Sequence, residues 1–98
     1  MFEYNEAEKE QALTTYFSSV SPLVLMLMPA KEKRKYLVLL WIAETFQKGY
    51  RYREAEINQR LEAIHSDYVT LRRLLVDFGM LGRAKDGSSY WRIESKAS

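Results

Sequence analysis

The chain has no cysteine, one histidine, two prolines and four glycines in 98 residues. Without thiols it can form neither disulfides nor thiolate metal sites, which agrees with a reducing cytosol. One histidine and scattered carboxylates do not make a metal cluster, so no metal is expected. Met1 to Glu10 is acidic and lacks a basic stretch followed by an apolar one, so no signal peptide is expected. The apolar run Leu23 to Met28 is far below membrane-spanning length. Gly79, Gly82 and Gly87 lack the spacing of a phosphate-cradling loop. His65, Ser66 and Asp67 are sequence neighbours, whereas a catalytic triad converges in space. The expectation is a cytoplasmic protein that is not an enzyme, with no cofactor, no membrane partner and no identifiable small-molecule ligand.

What is present suits one compact domain over residues 1–98: 47% of the chain is hydrophobic and 13% aromatic. The formal net charge of +2 is unevenly placed. Residues 1–20 hold one lysine against four glutamates, residues 21–60 eight basic and four acidic groups, and residues 61–98 six and five. The basic surplus begins after the first helix and permits a polyanionic partner.

Asn5-Glu6-Ala7-Glu8 has the pattern of a capping box. The helix behind it is expected to bury Leu13, Tyr16, Phe17 and Val20 and to occupy residues 1–20. Leu23 to Met28, between Pro22 and Pro29, suggests a buried strand. Pro29 suits a place at or near the first position of a second helix, which runs through Lys31 to about Gln47 and is stopped by Lys48-Gly49. A third helix covers Arg53 to Ile64, with Ile57, Leu61 and Ile64 as its stripe. Ser66 or Asp67 caps a fourth, Asp67–Phe78, which turns Leu71, Leu74, Leu75 and Phe78 inward and is stopped by Gly79. Asp86-Gly87 marks a hairpin turn that pairs Arg83 with Tyr90 and Gly82 with Trp91.

At about 100° per residue, the face of the fourth helix opposite its leucines carries Ser66, Val69, Arg73 and Val76, flanked by Thr70, Arg72 and Asp77. A recognition helix needs an apolar back and a polar front of this kind. Arginine matches guanine through its planar fork, and threonine can donate, accept or touch a thymine methyl. Asp77 would repel phosphate. Strand alternation groups Met80, Gly82, Ala84, Trp91 and Ile93 on one side of the hairpin, with Trp91 able to lie across Gly82. The other side carries Arg83, Lys85, Ser88, Tyr90 and Arg92, a phosphate-contacting pattern. Lys31, Lys33, Arg34 and Lys35 crowd the first turns of the second helix, where positive charge opposes the helix dipole. A polyanion would offset that cost, and solubility of a very apolar helix is the plainer account.

The expected fold is therefore mainly α with a small antiparallel sheet: a winged helix-turn-helix over residues 22–93 behind an extra N-terminal helix. Pro29-Ala30-Lys31, Tyr52 to Asn58, Asp67-Tyr68-Val69-Thr70-Leu71-Arg72-Arg73, Asp77 to Leu81 and Tyr90-Trp91-Arg92 together resemble the bacterial domain-of-unknown-function 2087 family. The likeness spans about residues 22–93. The chain departs from the family pattern at Arg53, where a threonine or serine cap is common, and at Gly82, where a polar residue is common. The family occurs alone or behind ArsR-type regulators, so the resemblance implies a transcription-linked role. Arg72, Arg73, Tyr90, Trp91 and Arg92 are family-typical by motif position. The leading expectation is a regulator that binds double-stranded DNA through Thr70, Arg72 and Arg73, with Arg83, Lys85 and Arg92 on phosphates and the lysine-rich turn as an accessory. A homodimer joined by the N-terminal helix is expected with it. The alternative is an interaction or effector module of the same shape that binds no DNA.

Overall fold

The structure, a computed structural model, describes residues 2–94. Its elements run α1 (Glu6–Tyr16), β1 (Phe17–Val20), β2 (Leu23–Leu25), α2 (Glu32–Ala43), β3 (Arg51–Arg53), α3 (Glu54–Ile64), α4 (Tyr68–Asp77), β4 (Leu81–Arg83) and β5 (Ser89–Arg92). This is the expected α+β class, with four helices and small antiparallel sheets.

The capping box is present. Asn5 Oδ1 accepts from the Glu8 N–H at 2.8 Å, and Glu8 Oε1 accepts from the Asn5 N–H at 3.1 Å. The helix is shorter than expected, however. Phe17–Val20 is a strand that pairs antiparallel with Leu23–Leu25, and Val20 is 60% exposed instead of buried. Two serines beside Phe17 and Val20 hold helix weakly, and a hairpin partner was available within a few residues. The expected Leu23–Met28 strand ends at Leu25, and Met26 and Leu27 stand largely exposed.

α2 is the central element: Val38, Leu39 and Ile42 are fully buried. Its N-cap is Lys31, so Pro29 lies before the helix rather than at its first position. It also ends earlier than Gln47. The Thr45 hydroxyl donates to the Ile42 carbonyl at 2.7 Å, while the Thr45 and Phe46 N–H groups close short turns. Gly49, at φ +75°, then reverses the chain into β3.

β3 was not anticipated. It joins the hairpin strands in a sheet of order β3-β5-β4, with β5 central. The hairpin register matches expectation: Arg83 faces Tyr90 and Gly82 faces Trp91. The Asp86-Gly87 turn is held by Asp86 Oδ1, which accepts from the Ser88 N–H at 2.9 Å and from its hydroxyl at 2.6 Å. Those bonds, the hydroxyl's first, hold the Asp86 carboxyl below its usual range.

Which side of the hairpin meets the core is the reverse of the expectation. Tyr52, Leu81 and Tyr90 are buried, so the side of the strands that carries Tyr90 and Arg92 turns inward, with Arg83 exposed at its end and Met80 buried just before β4. Trp91 is on the outer face, where its indole covers Gly82 and the Arg51 guanidinium lies 4.3 Å from its ring centroid. The alternation held, but β3 contributed Tyr52 to the side opposite Trp91, beside Tyr90 and Leu81, and one face of an antiparallel sheet packs on the core.

Candidate nucleic-acid interface

α4 begins at Asp67, whose Oδ1 accepts from the Thr70 N–H at 3.4 Å, and ends where Gly79 takes φ +75°. Leu71 and Leu75 are buried, with Leu74 and Phe78 packed at the edge of the core. The opposite face is open: Thr70, Arg73 and Asp77 are exposed and Val69 is 45% exposed. Beside it lies the hairpin. Val69, Arg72, Arg73, Val76 and Asp77 of α4, with Arg83 and Tyr90 of the sheet, line one depression of about 230 Å³.

Three of the expected contact residues therefore share a site: Arg72, Arg73 and Arg83. They differ in freedom. Arg72 is half-buried; its Nη1 donates to Asn58 Oδ1 of α3, and its guanidinium lies 5.6 Å from the Tyr90 ring centroid. It ties α3, α4 and the sheet together, so it positions the face rather than standing free to read a base. Arg73 and Arg83 are exposed and take part in no ion pair among the described residues. Thr70 and Lys85 are exposed outside the depression, at the first turn of α4 and at the hairpin turn.

The remaining cations lie elsewhere. Arg92 is half-buried and donates to the Phe46 carbonyl at 3.1 Å, serving the turn after α2. Lys33 pairs with Glu8 of α1 at 2.7 Å, and Lys35 with Glu32 at 3.4 Å. Lys31 and Arg34 are exposed in the groove between α1 and α2. The lysine-rich turn thus has a structural reason that its own sequence did not reveal: an acidic helix lies against it. α1 is held there further by Lys9, which pairs with Glu44 at 2.6 Å, and by the Trp41 Nε1–H, which donates to the Lys9 carbonyl at 2.7 Å.

The Lys33 and Asn5 hydrogen bonds hold the Glu8 carboxyl below its usual range. A lowered folded-state value stabilises the fold above the ordinary carboxylate range, and that contribution is lost as pH falls through the lowered value. Glu8→Gln is expected to flatten the acid side of a plot of urea midpoint against pH. An unchanged acid limb would show that the pair contributes nothing.

Sequence reasoning missed Arg51 and Arg53, which β3 places on the outer face of the sheet. Arg51 Nη1 also donates to Ser89 Oγ at 3.1 Å. The alternation Arg51-Tyr52-Arg53 was the available signal, though three residues are short for a strand. Asn58, the partner of Arg72, was not singled out either.

These elements lie within the stretch that compares with known proteins. Residues 24–92 match the family described as an uncharacterized protein conserved in bacteria, DUF2087. The chain belongs to this family. The match runs from β2 to β5, so α1 and β1 lie outside the part that defines DUF2087. No curated protein and no solved structure matches the chain. Among the described residues, no helix is long and apolar enough to cross a membrane, and no three metal-ligating side chains cluster.

Proposed function

We propose that this DUF2087 protein is a winged helix-turn-helix module that binds double-stranded DNA in transcriptional regulation in the bacterial cytoplasm. The order α2-β3-α3-α4-β4-β5, with a three-residue link between α3 and α4, supports that reading. The observation that carries it is the convergence of Arg73 from α4 and Arg83 from β4 on one open depression. In this reading α4 enters the major groove, Thr70 and Arg73 meet base edges or phosphates, and Arg83 and Lys85 hold the backbone. Arg72 keeps the face rigid through Asn58 and Tyr90. A homodimer belongs to the same reading, because one small module buries limited surface on DNA. In this reading the contact is the N-terminal region; α1, the expected dimer helix, is tied to α2 of its own chain, and the exposed Val20 of β1 is the apolar surface beside it.

A second reading has its own support. Val69 and Val76 line the same depression and Asp77 opposes phosphate there, which suits a protein partner. Titration of the protein into labelled duplex DNA at several salt concentrations separates the two. Under the DNA reading, binding falls steeply with salt, and Arg73→Ala with Arg83→Ala lowers the log–log slope by about 2. Unchanged anisotropy at low salt would defeat that reading and leave the interaction module.

A further inference from the structure

A second cavity, of about 520 Å³, lies between the N-terminal segment, α2, the end of α4 and the end of β5. It shares no lining residue with the arginine depression. Its walls are aromatic. The Tyr36 and Phe78 ring centroids are 6.4 Å apart, and Phe2 closes on Tyr36 at 5.3 Å. Leu40 and Met80 add apolar surface. Its size is that of a small-molecule pocket, and its lining mixes aromatic and aliphatic groups with four charged side chains, Glu44, Lys48, Arg92 and Glu94.

Its lining carries two carboxylates, Glu44 and Glu94, and two cations, Lys48 and Arg92. Glu44 is paired with Lys9 at 2.6 Å, and Glu94 with Lys48 at 3.4 Å. Arg92 also lines the cavity and pairs with no carboxylate among the described residues. One of its five N–H donors goes to the Phe46 carbonyl. Because Lys9, from outside the lining, takes up Glu44, Arg92 is left as a planar cation beside aromatic side chains. A guanidinium fork matches a carboxylate through two parallel hydrogen bonds. Burial, then the nearby Tyr4, raises the Tyr36 hydroxyl above its usual pKa; like any tyrosine it is a donor at neutral pH.

We propose that this cavity binds a planar aromatic monocarboxylate, its ring against Tyr36 and Phe78 and its carboxylate on Arg92. The ligand would touch Phe78, Gly79 and Met80, the residues that end α4.

The test is an amide NMR titration of the full chain with naphthoate, and with naphthamide as its uncharged analogue, in the absence of DNA. Naphthoate is expected to give saturable shifts at Phe78, Gly79, Met80 and Arg92, with a dissociation constant on the order of 1 mM or tighter. Naphthamide is expected to bind about tenfold more weakly, since it forfeits a charge-assisted pair. Arg92→Gln should weaken naphthoate by a similar factor and naphthamide by distinctly less, since the amide can lose only a neutral hydrogen bond. Absent saturable shifts, or equal affinity for acid and amide, would overturn the proposal. Should Arg92→Gln fail to fold, the acid–amide comparison on the natural chain decides. Because no DNA is present, the outcome is independent of the DNA reading.

Discussion

Tyr90→Ala is expected to destabilise the protein by about 3–5 kcal/mol, the range for removing a large aromatic from a packed core. Tyr90 is 1% exposed and sits at the centre of β5, with Tyr52 of β3 on one side and Arg83 of β4 on the other. Its ring also lies under the Arg72 guanidinium. Its loss therefore opens the core and removes the platform that steadies Arg72 between α3 and α4. For a domain of this size the melting temperature falls by roughly 4–8 °C per kcal/mol. Tyr90→Phe keeps the ring and is expected to retain most of the stability. Thermal unfolding of the two variants checks this. A Tyr90→Ala protein within about 1 kcal/mol of the natural chain would contradict the buried, central placement of this side chain.

Gly82→Ala is expected to be the other large effect, at about 1–3 kcal/mol. A Cβ at Gly82 would lie 2.2 Å from Trp91 Cε2 and 2.3 Å from its Nε1, closer than packed atoms approach. The indole must swing away. That exposes apolar ring surface and breaks the stack with Arg51, whose guanidinium lies 4.3 Å from the ring centroid. Backbone conformation is not the reason, because Gly82 is not among the glycines at positive φ. Trp91→Ala removes the obstacle, so Gly82→Ala should cost far less in that background. Tryptophan fluorescence and denaturant midpoints of the two singles and the double give the coupling. Additive costs would show that the indole does not occupy this space.

Much of the fold was legible because its signals are local. Asn5 and Glu8 sit three residues apart and cap α1 as their spacing requires. The leucine stripe of α4, its Asp67 cap and its Gly79 stop all lie within one short segment. Asp86-Gly87 set the hairpin register, since a turn of given length leaves one pairing. Local signals also misled. Ser18-Ser19 weakened the first helix, but nothing nearby showed that Phe17–Val20 would find β2 as a partner.

The site was less legible than the fold. Residue type placed Arg72, Arg73 and Arg83 among the contact residues, and the structure brings these three to one depression. It could not rank them. Arg72 is tied to Asn58, 14 residues away, and only Arg73 and Arg83 remain exposed. Arg92 looks equivalent to Arg83 by strand alternation, yet it donates to Phe46, 46 residues away. The lysine-rich turn read as a solubility device or a polyanion contact, whereas Lys33 pairs with Glu8, 25 residues before it.

By itself, then, the sequence determined the presence of four helices, the Asn5 and Asp67 caps, the Gly79 stop and the pairing within the hairpin, but not where the first two helices end. Those depend on periodicity, backbone freedom and turn length among near neighbours. Only the tertiary structure decided which face of the hairpin is buried, because Tyr52 arrives from a strand far back in the chain. It alone decided which arginines are engaged and which are exposed, since a side chain's freedom depends on what packs across from it. It also enclosed the aromatic cavity at the end of α4, whose walls come from residues as distant as Phe2 and Phe78.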